Sequence, residues 1–465
     1  MSPEAFPKPD VAGLRRAGNI VYFNQPQARR TLRCLWISRD IPFPQDAGDK
    51  IYSANMACAL AEASVSICFL GYANDAPDNV PESWSANWPI ETSALAGNKR
   101  NKFAALFDRL PIAAAIHATP QYRTALENQL GERWDLIVID SYGSGWALDA
   151  CLAAQDDAVT RGATRPTLVY LSHNHEESIW RAMATQGKGG FPRRFALWQN
   201  YRKVRALERR LAAKVDLISA ITEEDAQTYA RQQPGKPTVA LTPGYSGWSV
   251  PQRTITAATP RHVVLVGSFR WAIKQENLRR FLELADARFK AHDIRFDVIG
   301  DVPRPLLDEL RPQMQATQFH GFVDDIAPYL DAARLAVVPE VIGGGFKLKY
   351  LDYLFARVPI ATIGEAAAGL PQSIRDNMIC CDDLVQLVDA IIETMDQTGR
   401  LNTMQEQAFA GAHALFDWKD RGIALRKATE ALVDEKSTRL AAFVGSPYWP
   451  QTMPPAIPPA QESRT

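Results

Sequence analysis

Nowhere does this 465-residue chain hold an apolar run of the ~20 residues that cross a bilayer as a helix. Its opening stretch, "MSPEAFPKPDVAGLRRAGN", has no apolar h-region, so a secretory signal is not expected. Cysteine is sparse. Cys34, Cys58, Cys68, Cys151, Cys380 and Cys381 show neither the density of a disulfide scaffold nor metal-ligand spacing. An excess of one charge sign is also missing, since Lys plus Arg and Asp plus Glu both total 52. A balanced chain sets up no general field for polyanions, so nucleic acid is not an expected partner. These absences lead to the expectation of a cytoplasmic protein whose only membrane contact is peripheral.

What is present is the composition of a globular protein, 46% hydrophobic and 22% charged, long enough for two domains. Both halves alternate short apolar runs with helical patterns, which predicts doubly wound α/β domains with parallel sheets. Strands are expected at 32–38, 65–72, 134–140, 167–172 and 215–221, then at 262–268, 295–301, 317–322, 335–340 and 358–363. Helices are expected at 53–63, 194–214, 275–291, 304–315, 324–333, 346–356 and 383–397. A helix over 418–443 either closes the second half or crosses back to the first. Pro, Gly, Ser and Thr dominate 241–260, a linker composition. The expected organisation is an extension over 1–30, a first domain over 31–245, a linker over 246–260, a second domain over 261–435 and a tail over 436–465.

Ligands of open parallel sheets bind outside the carboxyl ends of the strands, so the residues just after each strand carry the functional signal. "VVPEVIGGGFKLKYLDYLFARVPIAT" sets Gly343, Gly344 and Gly345 between a strand and a helix bearing Lys349 and Asp352 on one face. Such a loop is either a plain turn or a backbone cradle for phosphate at a helix N-terminus. "LVYLSHNHEESIW" places His173, Asn174 and His175 after a buried strand. Asn174 with Glu176 and Glu177 reads as a helix N-cap, and H-x-H without a third ligand is a weak metal signal. Asp140 ends "WDLIVID", as either a cleft residue or a turn residue. Arg193 to Lys214 holds eight basic residues and one acid, Glu208, with an apolar stripe; it is either a core helix with a solvated face or a helix lying on anionic lipid.

The stretch "FHGFVDDIAPYLDAARLAVVPEVIGGGFKLKYLDYLFARVPIATIGEAAAGLP" resembles the donor-binding half of family 4 glycosyltransferases. Gly321, Phe322, Val323 and Asp324 match the first part of the family pattern, and Pro339 the strand end. Lys349, Asp352 and Pro359 match its K-x-x-E helix and the proline that follows. The first Glu of the family's Glu-x7-Glu motif would fall on Gly344, Glu340 lies four residues out of register, and Arg357 stands where relatives have glycine. The resemblance further suggests Gly267 with Arg270 and Lys274 as the basic diphosphate-binding junction, and Gly48 as the glycine of the first βα loop. Asp49 and Asp140 would be acceptor or sugar contacts, as would His175, and His173 the histidine beside the transferred sugar.

The resemblance implies a GT-B fold and a retaining, metal-independent transfer of sugar from a nucleotide diphosphate sugar to a glycan or lipid-linked hydroxyl. No cofactor is implied. A non-catalytic nucleotide-sugar binder, or an epimerase on the same fold, stays open as an alternative.

Overall fold

The computed structural model describes residues 30–45, 47–73, 81–186, 190–341 and 345–444. Nearly all of the expected N-terminal extension, the proline-rich tail from 445, and Gly343 and Gly344 lie outside them. Among the described residues, thirteen parallel strands form two sheets. In the first, β1 (Leu32–Asp40), β2 (Val65–Tyr72), β3 (Ile90–Leu95), β4 (Leu136–Asp140), β5 (Thr167–Ser172), β6 (Leu217–Ala220) and β7 (Thr238–Ala240) lie in the order 3-2-1-4-5-6-7. In the second, β8 (His262–Val266), β9 (Arg295–Ile299), β10 (Thr317–Gly321), β11 (Leu335–Val338), β12 (Ile360–Ile363) and β13 (Ile379–Cys381) lie in the order 10-9-8-11-12-13.

Each sheet therefore reverses its winding once, between β1 and β4 in the first and between β8 and β11 in the second. A crevice opens at the carboxyl ends of the strands at such a point. Helices cover both faces, so inner strands are apolar on both sides: Ile137, Val138 and Ile139 are all fully buried. That is why these strands read as continuous apolar runs. The short edge strands β3, β7 and β13 were not expected, having three to six residues and weaker apolar patterns.

The helix expected over 346–356 begins at Lys349 and ends at Phe355, so three residues separate it from Gly345. Past its end, Arg357 adopts φ +55, the left-handed conformation that glycine reaches without strain. The Arg side chain offsets that strain: its guanidinium lies 3.8 Å from the Phe409 ring centroid, and Nε donates to Val250 O at 2.9 Å. The Trp418–Val444 helix takes the second of its two readings and returns to the first sheet, where it packs on the Gly48–Glu62 helix. There Arg426 donates to the carbonyls of Ser64 (3.1 Å) and Arg30 (3.0 Å).

Candidate active site

On the second-sheet side, Pro339–Glu340 follow β11, and Lys349 opens the next helix. Lys349 Nζ reaches Glu340 Oε1 at 2.6 Å, so the residue expected to share a face with Asp352 is ion-paired elsewhere. Burial pushes Glu340 up, yet Lys349 and Lys347 outweigh it and hold the carboxyl at about 2. Lys347 Nζ donates to Gly345 O at 3.2 Å. Lys274, at the start of the Ala272–Ala291 helix, lies close enough to Lys349, Glu340, Asp49 and Lys347 to feel their charges. Burial first, then the like charge of Lys349, depresses Lys274 below the usual lysine value; burial does the same to Lys347 against the pull of Glu340. Gly267, after β8, leaves room for Lys349, whose Nζ would stand 3.4 Å from a Cβ added there.

The first-sheet side is built from the ends of β1, β4 and β5. His173 Nε2 lies 2.6 Å from Asp140 Oδ1, while the other Asp140 oxygen accepts from Trp36 Nε1 at 3.0 Å. Burial raises the Asp140 carboxyl, but His173 and its hydrogen bond bring it below the ordinary carboxylate range. The Tyr52 ring stands edge-on to His173 at 5.3 Å. Arg39 pairs with Asp49, and these two with Lys50, Ser53, Asp140, Ser141 and His173 line one concavity. Ser141 holds φ +63 directly after Asp140, a strained conformation of the kind that collects at functional sites.

The two sides touch. Gly345 has φ +66, and a Cβ there would overlap Asn174 Oδ1 and stand 3.1 Å from His173 O. Gly48 faces Leu348 with 3.5 Å to spare for a Cβ. So Gly48, Asp49, Asp140, His173, Gly267, Lys274, Gly345 and Lys349 gather around one cleft, as the strand-end argument expects.

Other expected residues fall elsewhere. His175 is bonded through Nδ1 to Ser178 Oγ (2.7 Å) and through Nε2 to Gln232 (3.0 Å), and it packs on Tyr229, so it is held away from the cleft. Arg270 is half exposed and pairs with Asp301 at 2.7 Å, so it does not stand with Lys274 as a buried basic pair. Asp352 shares a hydrogen bond with Tyr245, and burial lifts its carboxyl to about 6. Asp140, by contrast, does line the cleft, though it is nearly buried with its carboxylate held by His173 and Trp36.

Three site residues were not picked out. Glu340 reaches Lys349 although its sequence register is wrong, Lys347 joins the lysine group, and Glu208 acts from a distance. Glu208, buried in the Phe191–Lys214 helix, accepts the backbone N–H groups of Glu176 (2.9 Å) and Glu177 (2.7 Å) and the Tyr229 hydroxyl (2.7 Å). It caps the helix that follows His173 from outside that helix, a role the lone acid in a basic stretch could have signalled.

Residues 260–397 match the family model described as Glycosyl transferases group 1. That match covers 138 of the chain's 465 residues, all in its second half. Solved structures of the same fold place the two sheets of this chain in the GT-B class. HepE of Anabaena, solved with UDP-glucose, is 14% identical; the match spans 88% of this chain and all of that one, with a TM-score of 0.55. WaaG, a glycosyltransferase involved in lipopolysaccharide biosynthesis, is 17% identical over 86% of this chain and 99% of that one, with a TM-score of 0.55. TarM of S. aureus is 7% identical over 86% and 99%, with a TM-score of 0.62. No curated protein matches the chain in sequence.

Proposed function

We propose that this glycosyltransferase moves a sugar from a nucleotide diphosphate sugar to a hydroxyl of a glycan or lipid-linked acceptor, with retention at the anomeric carbon. The observation that carries the reading is the charge count at the cleft. Lys274 and Lys349 are withdrawn from water beside Glu340, while Asp49 is already matched by Arg39. Buried cations in excess of buried anions call for an anionic ligand, and a diphosphate supplies the missing charge. Held there, the lysines stabilise the charge that develops on the leaving diphosphate, so no divalent metal is needed. Asp140 orients His173 beside the reacting sugar, where the imidazole accepts a hydroxyl hydrogen bond. HepE with bound UDP-glucose supports uridine as the first base to try, and WaaG supports a glycan acceptor.

A thermal-shift screen with UDP-, GDP- and ADP-sugars, followed by transfer assays with chelator present and an anomeric assignment of the product, tests this. One nucleotide sugar should raise the melting temperature, and Lys349→Ala should abolish the rise. Binding without turnover on any acceptor would leave a nucleotide-sugar binder. Epimerised donor in the absence of acceptor would make the enzyme an epimerase.

A further inference from the structure

A doubly wound sheet is normally apolar on both faces, but β9 ("RFDVI") and β10 ("TQFHG") alternate apolar with polar residues. By register, His262 on β8 lies beside Arg295 on β9, and Asp297 beside Gln318 on β10, so these four residues share one face. Asp297 is buried and gathers three basic side chains: Arg295 Nε at 2.8 Å, His320 Nε2 at 2.7 Å and His262 Nδ1 at 3.3 Å. With Nε spent on Asp297, the two terminal amino groups of Arg295 carry no hydrogen bond among the described residues. Taking such a network out of water costs stability, so packing alone does not account for it. The cleft does not use it either. His262, Arg295 and Gln318 stand at the amino ends of their strands, away from the carboxyl end where Gly267 follows β8.

A hollow of about 300 Å³ opens at this end of the sheet, large enough for one sugar ring and a phosphate. His262, Arg295 and Gln318 line it from the strands, and Lys290, Asp293 and Gln315 from the chain around them. Its frame is fixed in advance. Asp286 accepts the backbone N–H groups of Gln315 (2.7 Å), Ala316 (3.1 Å) and Thr317 (2.9 Å). Arg261 donates to the carbonyls of His292 (2.9 Å) and Asp293 (3.3 Å). The side chains of Lys290, Asp293, Gln315 and Gln318 have no hydrogen bond or ion pair among the described residues. We propose that this hollow is a second ligand site, separate from the cleft, for a phosphate monoester of a hydroxylated molecule such as a sugar phosphate. The free end of Arg295 offers a forked contact to the phosphate and Lys290 a point charge. Asp293 repels phosphate, and with the two glutamine amides it supplies the acceptors and donors that hydroxyls need. An inorganic anion leaves that half of the hollow unused. The inference goes beyond the transfer reading and needs neither donor nor acceptor for its test.

The full chain is titrated calorimetrically with glucose 6-phosphate, glucose and inorganic phosphate, each without UDP and at saturating UDP. Glucose 6-phosphate should bind in both conditions, about tenfold or more tighter than either of its parts. Lys290→Glu should weaken it by about tenfold or more. Gln318→Ala should weaken glucose 6-phosphate while leaving inorganic phosphate unchanged. Lys349→Ala should leave glucose 6-phosphate binding intact, which separates this hollow from the cleft whether or not the cleft holds a diphosphate. No binding at millimolar concentration, binding that UDP displaces or Lys349→Ala removes, or equal affinity for inorganic phosphate would overturn the inference. So would a Lys290→Glu protein that binds as the wild type does. Lys290 and Gln318 are both exposed, so unchanged melting temperatures are expected for their variants. If either variant is unstable, the wild-type titrations with and without UDP still decide.

Discussion

Lys349 Nζ stands 2.6 Å from Glu340 Oε1, with the two side chains 9% and 10% exposed. An acid held down to about 2 stabilises the fold above the usual carboxylate value, and that stability is lost as pH falls from there through about 2. The amount at neutral pH is on the order of 3 kcal/mol. Glu340→Gln leaves Lys349 without its ion-pair partner and weakens the counter-charge felt by Lys274 and Lys347, so its melting temperature should fall at pH 7. A nucleotide diphosphate should restore more stability to this variant than to the wild type. Melting curves with and without UDP check both.

Lys274 and Lys347 titrate below the ordinary lysine value because they are buried. Glu340, Asp49 and Asp225 pull them up, and Lys349 pushes them down. With depressed values, both penalise the ligand-free fold at neutral pH. That penalty lifts as pH climbs through their folded values towards the ordinary one. Diphosphate needs them charged, so its affinity should weaken over the same alkaline range. Opposite slopes of ligand-free stability and UDP affinity are the expected result of calorimetry across that range.

Asp140 holds His173 by a buried hydrogen bond. Asp140→Asn keeps the shape and the Trp36 contact but loses the charge and the imidazole's orientation. We expect kcat to fall by about 10²-fold or more with the KM for donor changed little. His173→Ala should match it, and the double variant should be no worse than the single ones. Steady-state kinetics on the three variants decide.

Gly345 is constrained twice, by φ +66 and by Asn174 and His173 pressing where a Cβ would be. Gly345→Ala should cost about 1–2 kcal/mol in backbone strain alone and more in the overlap. Because that overlap lies between the two halves of the cleft, activity should drop further than stability does. The comparison is of kcat/KM against melting temperature in the same preparation.

The strand runs and the residues just beyond them were legible because burial on two faces writes apolar sequence directly. His173 and Gly345 were singled out that way, and Lys349 by the helix that follows. Glu340 was not, because its meeting with Lys349 depends on the path of the loop between them and not on helical spacing. Glu208 was missed for a similar reason: it serves a helix 31 and 32 residues away in sequence. His175 shows the converse. Two histidines in H-x-H look equivalent on paper, yet residues two apart at a strand end need not share a destination once the chain turns into a helix. Arg357 stood out as a departure from the family glycine, and the stacking on Phe409 with the hydrogen bond to Val250 O accounts for its tolerance.

The chain passes between the two sheets twice, and the passages lie side by side: Tyr245 N donates to Phe416 O at 2.9 Å, and Gly244 abuts Trp418. Tyr245 stacks on Phe355 at 4.4 Å, at the end of the helix that Lys349 opens, while Trp418 touches Tyr52, the ring beside His173. Two adjacent crossings act as an axle. Any swing of one half against the other turns about that line, displacing the outer lips of the jaw most and the groups flanking the axle least.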